Sequence, residues 1–161
     1  MAVNENFIHY LAGLIDGEGC FYVSFNNNKH PSPAVRLKIA SSDIRLMNFL
    51  LSTLKVGNFY PYNLKNPEKS RSRREAYGYY VQKIEDLERL VELLDGKLVI
   101  KQENLEIIKK IISIIKSKRS ERGRRGKSFT SSEIAEILEL KERLKYEKGK
   151  TRVNWKERLE L

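Results

Sequence analysis

Two acids, Asp16 and Glu18, stand two residues apart in the run Leu11-Ala12-Gly13-Leu14-Ile15-Asp16-Gly17-Glu18-Gly19. Carboxylate oxygens are hard donors and suit magnesium or a similar divalent cation. The plain alternative is an acid pair solvated at a helix end. Other reactive residue types offer less. Cys20 is the single cysteine, so no internal disulfide forms and nothing calls for an oxidising compartment. His9 and His30 are far apart in the chain, which leaves zinc unsupported. A glycine-rich Lys-Ser/Thr phosphate loop is absent, so nucleotide hydrolysis is not implied.

The elements around the acids follow from residue periodicity. Phe7, Leu11, Leu14 and Ile15 recur at helical spacing, which predicts a short helix from Phe7 to Asp16, capped by Asn6 and ended by Gly17 and Gly19. Gly19 to Phe25 turns to β-type residues, and a turn follows over Asn26 to Pro33. Val35, Leu37 and Ile39 alternate with Arg36, Lys38 and Ala40, the pattern of a half-buried strand with a basic outer face. Asp43 caps a helix from Ile44 to Leu54. Strands are predicted over Asn58 to Leu64 and Ala76 to Lys83, around a basic loop from Lys65 to Arg74. Further helices are predicted over Glu85 to Leu94, over Gln102 to Lys116, and from Ser131 or Ser132 to about Tyr146.

That order, α-β-β-α-β-β-α with appended C-terminal helices, specifies an α+β fold with an antiparallel sheet. Residues 1–115 form the expected core domain, 116–127 a basic linker, and 128–161 a helical extension packing on the core. Helices cover one sheet face. The other carries Tyr22, Ser24, Asn26, Arg36, Lys38, Tyr60, Tyr62, Tyr80 and Gln82. Such a face is either an ordinary solvated surface or a polyanion-binding one.

Composition bears on that choice. The chain has 161 residues, 31 Lys and Arg against 21 Asp and Glu, and a formal charge of +10. Forty per cent hydrophobic content with 8 Tyr and 6 Phe describes a folded protein, not a basic disordered tail. No apolar run approaches the roughly 18 residues of a membrane span, and Asn4, Glu5 and Asn6 precede the first apolar residues where a signal peptide has basic ones. The expectation is an intracellular protein of the cytoplasm, nucleoid or an organelle. The positive excess points to nucleic acid. Lysine- and glutamate-rich surfaces of thermophile proteins are the alternative reading.

The acid-bearing run resembles the signature of the LAGLIDADG homing endonucleases. Seven of its nine letters agree, with Gly17 in place of Ala and Glu18 in place of Asp. The resemblance extends over roughly Phe7 to Ile115. It implies a saddle-shaped antiparallel sheet and site-specific hydrolysis of one phosphodiester per strand of a long pseudo-palindromic duplex. It further implies that Glu18 is the metal-binding catalytic carboxylate, with the Gly17 carbonyl also facing the metal, and that Asp16 ties down the helix end. Mg²⁺ is the implied cofactor; Mn²⁺ would substitute, and Ca²⁺ would occupy the site without fast turnover. Lys101 matches the lysine that approaches the active site. Ser41 and Arg45 lie near a peripheral Gln and Arg of the family, Arg45 being equally readable as a surface helix residue.

The motif occurs once, which implies a homodimer with Leu11, Ala12, Gly13, Asp16 and Gly17 at the interface. Phosphate contacts are expected from Arg71, Arg73, Arg74, Lys116, Arg119, Arg124 and Arg125, and Asn28 extends the DNA-facing set. Two alternatives share the scaffold: an RNA maturase that binds its host-intron RNA, and an inactive DNA-binding regulator.

Overall fold

The computed structural model describes residues 4–26, 31–62, 75–120 and 128–144. Its elements are α1 (Glu5–Glu18), β1 (Gly19–Phe25), β2 (Pro33–Ser41), α2 (Ile44–Leu54), β3 (Asn58–Tyr62), β4 (Ala76–Val81), α3 (Ile84–Leu94), α4 (Gln102–Ser120) and α5 (Ser131–Glu142). The sheet is antiparallel with strand order β1-β2-β4-β3. This is the α+β order predicted. The register pairs Lys38 with Tyr80 and Ala40 with Gly78 across β2 and β4. Asn58 pairs with Tyr80, and Tyr60 with Gly78, across β3 and β4.

Several boundaries differ from expectation. Asn4, not Asn6, caps α1, its side chain accepting the Asn6 N–H at 2.9 Å. Gly17 does not end α1; the helix continues through Glu18, and Gly19 is its cap. A single glycine weakens a helix by only about 1 kcal/mol, which packing of the buried Phe7, Ile8, Leu11, Ala12 and Ile15 outweighs. Residues 116–120 belong to α4 and not to an open linker, and α5 ends at Glu142. Asp43 caps α2 as predicted, and Leu94-Asp95-Gly96 is a helix end and turn, with Gly96 at φ +68.

Two compact units divide the chain, one of Met1–Cys20 with Arg36–Gln102, the other of Phe21–Val35 with Glu103–Leu161. In the first, Leu11, Ile15, Leu37, Ile39, Met47, Leu50, Tyr79, Leu87 and Leu94 are buried. There α2 packs on β3 and β4, and α1 on α3. The Tyr79 hydroxyl donates to the Val56 carbonyl. Burial, and secondarily the charge of Asp86, pushes the Tyr79 phenol well above its ordinary pKa. In the second unit the isoleucine stripe of α4 (Ile107, Ile108, Ile111, Ile112, Ile115) is buried. Phe25 and Phe129 pack on Ile134 and Leu138. A capping box opens α5: Glu133 N–H donates to the Thr130 hydroxyl at 3.2 Å, and Thr130 N–H to Glu133 Oε2 at 2.7 Å. Among the described residues no helix is long and apolar enough to cross a membrane.

Candidate functional site

The last four carbonyls of any α-helix lack helical partners. At the end of α1 one ammonium takes three nearby oxygens. Lys101 Nζ donates to the carbonyls of Ile15 (2.8 Å), Asp16 (2.7 Å) and Gly19 (2.8 Å). Lys101 is 6% exposed. Its cation faces the negative end of the helix, the favourable sense for the helix dipole. Asp16 completes the junction from the other side. Its Oδ2 accepts the Val99 N–H at 2.7 Å, and its Oδ1 accepts those of Ile100 (3.3 Å) and Lys101 (3.0 Å). This is the helix-end role expected of Asp16.

The Lys101 ammonium is committed to the main chain: it has three N–H donors, and three carbonyls accept them. Gly17 and Glu18 lie between the pinned carbonyls of residues 16 and 19, and both are exposed. The hard oxygens on offer are the Glu18 carboxylate and the Gly17 carbonyl. Among the described residues no group of three His, Cys, Asp or Glu can hold a metal ion. One chain therefore supplies part of a donor set in the right chemistry but too small in number.

Ser41 and Arg45 belong to the entrance of α2. The Ser41 hydroxyl accepts the Asp43 N–H at 3.0 Å. Arg45 donates to Asp43 from Nε (3.0 and 3.1 Å) and from Nη2 (2.6 Å). Those bonds hold the Asp43 carboxyl below its ordinary pKa and raise that of Arg45. Among the described residues no hydrogen bond or ion pair joins Ser41 or Arg45 to Glu18. Both side chains bond Asp43, the residue that caps α2.

The outer sheet face has an ordered centre. Alternation in β2 buries Val35, Leu37 and Ile39 and leaves Arg36, Lys38 and Ala40 half-buried on the other side. Through the register, Lys38, Tyr80 and Asn58 form one row across three strands, with Ala40, Gly78 and Tyr60 in the next. Lys38 Nζ lies 5.9 Å from the centre of the Tyr80 ring, and the rings of Tyr60 and Tyr80 are 6.2 Å apart. Desolvation lowers the Lys38 pKa, partly opposed by the charge of Cys20. Asn58 is an exposed member that sequence reasoning passed over. The signal was available: Asn58, Tyr60 and Tyr62 share one parity.

In the second unit, Tyr22 and Ser24 alternate with the buried Phe21 and Val23. The Asn26 side chain accepts the Ser32 N–H at 2.9 Å and so helps hold its own hairpin. Lys116 is an exposed residue of α4, and Gln82 is exposed just past β4. Asn28, Arg71, Arg73, Arg74, Arg124 and Arg125, and the side chains of Tyr62 and Arg119, lie outside the described residues.

The interface expected on α1 divides between two helix faces. Leu11 and Ala12 are 1% and 3% exposed, so they belong to the core of the chain itself. Asp16 is engaged with residues 99–101. Gly13 and Gly17 are the open positions: a Cβ added at either would meet nothing within 4 Å. With Asn6 and Tyr10 they form an exposed stripe at helical spacing. Gly19 differs, since a Cβ there would come within 2.7 Å of the Ile15 backbone.

A comparison with curated proteins finds no match. Solved structures do match. The archaeal intron-encoded homing endonuclease I-Vdi141I, solved with DNA, is 17% identical over 98% of this chain and 95% of its own, with a TM-score of 0.73. Homing endonuclease I-CvuI, solved with its target in the presence of calcium, is 16% identical over 97% and 91%, with a TM-score of 0.71. The LAGLIDADG meganuclease I-AabMI, bound to uncleaved DNA, is 22% identical over 95% of this chain but only 48% of its own, with a TM-score of 0.69. These likenesses establish the fold. The family profile described as LAGLIDADG endonuclease matches residues 11–109, a span containing the acid-bearing end of α1, the four strands and the junction at Lys101. With one copy of the motif and a size that fits the single-motif type, the chain belongs to the LAGLIDADG endonuclease family.

Proposed function

We propose that this protein is a site-specific endonuclease that cuts both strands of a long, pseudo-palindromic DNA duplex, acting as a homodimer with a divalent cation. The observation that carries the reading is the exposed Glu18 carboxylate at the end of α1, where Lys101 bonds the flanking main-chain carbonyls of Asp16 and Gly19. Structures of I-Vdi141I and I-AabMI with DNA, and of I-CvuI with calcium or magnesium, support the choice of duplex DNA and of a hard cation.

Glu18 and the Gly17 carbonyl of each subunit would hold the cation, together with the matching oxygens of a second copy and of the phosphate. A bound divalent cation supplies charge stabilisation at the phosphoryl and leaving oxygens and favours deprotonation of the attacking water. The chain's own contribution is placement. The exposed stripe of Asn6, Tyr10, Gly13 and Gly17 would receive the same stripe of a second subunit, bringing two Glu18 side chains together, one per strand cut. The row Lys38-Tyr80-Asn58 with Tyr60 would face base edges, and basic residues outside the sheet would fix the backbone.

The test is a cleavage assay on a randomised duplex library, with and without Mg²⁺, for the wild type and Glu18→Gln. The wild type should cut a recoverable site only with the metal. Glu18→Gln should nick it at least about a hundredfold more slowly while binding it in Ca²⁺ as well as the wild type. Equal cutting rates would overturn the reading. Intron RNA binding with no DNA cut would transfer it to a maturase.

A further inference from the structure

We infer that Gly78 is a positioning residue that sets base preference at the centre of the sheet by letting the Tyr80 ring lie back over it; this rests on the DNA-reading face proposed above. Side chains alternate along β4, with Tyr79 and Val81 in the core and Ala76, Gly78 and Tyr80 on the outer face. Gly78 is buried even so. What covers it is the end of Tyr80. A Cβ added at Gly78 would lie 2.8 Å from Tyr80 Cε2 and from its hydroxyl oxygen, and 2.9 Å from Cζ. The ring therefore leans back along its own strand, with its hydroxyl end above residue 78.

The backbone does not demand a glycine here. Gly57 and Gly96 are the described glycines at positive φ, and Gly78 is not among them. In a strand paired on both sides, glycine weakens the sheet and marks a place where something approaches closely. At position 78 that something is the Tyr80 ring. The cross-strand neighbours of Gly78 are Ala40 and Tyr60, and Ala40 adds only a methyl group to the row. Once reclined, the ring packs with its centre 6.2 Å from that of Tyr60 and 5.9 Å from Lys38 Nζ.

Lys38, Tyr60 and Tyr80 are thus one packed group whose height above the sheet depends on a missing methyl. An ammonium suits the guanine acceptors and an apolar surface the thymine methyl, so the bases this group accepts depend on where its members stand. A methyl at position 78 pushes the ring end outward, and the ring's partners shift with it. The conflict is with the far end of a side chain and not with backbone. The fold should survive the change while the reading surface does not.

The experiment compares wild type, Gly78→Ala, Tyr80→Ala and the double variant. Bound duplexes are selected from a randomised library in Ca²⁺, and melting temperatures are measured without DNA. Gly78→Ala should change preference at one or two base pairs by about fivefold or more, at positions that Tyr80→Ala also changes. In the Tyr80→Ala background the same methyl should change preference by less than about twofold, because the ring it displaces is gone. It should also raise the melting temperature more in that background than in the wild type. An unchanged preference in Gly78→Ala, a loss of affinity equal for all sequences, or the same change with and without Tyr80 overturns the inference. Where Gly78→Ala does not fold, Tyr80→Ala decides, and a site identical to that of the wild type overturns it. A wild type that selects no duplex overturns the DNA reading, and this inference with it.

Discussion

Asp16 and Lys101 each bond the other's main chain: Lys101 Nζ donates to the Asp16 carbonyl at 2.7 Å, and the Lys101 N–H donates to Asp16 Oδ1 at 3.0 Å. Such an exchange joins two segments far apart in sequence through polar groups alone, and each bond limits the freedom of the other. The first prediction concerns its worth in stability. Lys101→Met removes the shared donor from three carbonyls, of which that of Ile15 still accepts the Gly19 N–H, and each unsatisfied buried polar group costs about 1–3 kcal/mol. Chemical denaturation should show a loss of roughly 2–5 kcal/mol. A loss below about 0.5 kcal/mol, the scale of an ordinary surface substitution, would mean the junction is not structural.

The glycines of α1 and its cap should respond in opposite senses. Gly13→Ala and Gly17→Ala place a methyl in open space within a helix, and each should stabilise the isolated chain by about 0.5–1 kcal/mol. Gly19→Ala meets the Ile15 backbone and should destabilise. Melting temperatures of the three variants check the order.

Association should separate from folding at the same helix. Gly13→Leu should leave the single chain folded yet abolish the dimer in sedimentation, because the residue is exposed in one chain and would block close approach of two. Ala12→Leu should instead overpack the core and cost about 1–3 kcal/mol without needing a partner. If Gly13→Leu sediments as the wild type does, the proposed interface is elsewhere.

On the sheet, Lys38→Ala, Asn58→Ala and Tyr60→Ala should each change preference at one or two base pairs, by about 1–3 kcal/mol for a lost bidentate contact. Arg124→Ala and Arg125→Ala should weaken binding to all sequences alike and flatten its salt dependence by about one unit per lost phosphate contact. Binding selections at two salt concentrations distinguish these outcomes.

The cap of α5 makes a pH prediction. Bonding to the Thr130 backbone first, and then to Lys118 and the Thr130 hydroxyl, lowers the Glu133 pKa in the folded chain. A depressed carboxyl contributes stability that is fully present above its unfolded value of about 4.3 and is lost as pH falls through the folded value. Glu133→Gln should therefore be less stable than the wild type at pH 7, and the difference should shrink below about pH 4. A difference that stays constant from pH 7 to pH 3 would refute the charge-based account.

How far the sequence reveals these features depends on the range of the forces involved. Val35, Leu37 and Ile39 alternate with Arg36 and Lys38, so β2 and its two faces are legible from local pattern. Asp43 announces α2 because its cap bond reaches only to Arg45. The burial of Lys101 is not legible, since its acceptors lie more than 80 residues earlier and nothing local marks a lysine as buried. Ala12 is an intermediate case. It is small like Gly13, but Ile8, Ala12 and Ile15 share the core stripe of α1, and that spacing could have distinguished the two.

The strict alternation of β2 also sets which mutations this chain tolerates. An exchange at Arg36, Lys38 or Ala40 leaves the buried set of Val35, Leu37 and Ile39 untouched, so many residues can be tried there without loss of the fold. A single inserted or deleted residue in the same strand turns every following side chain to the opposite face and drives cations into the core. In β2, substitution explores new surfaces while length stays fixed.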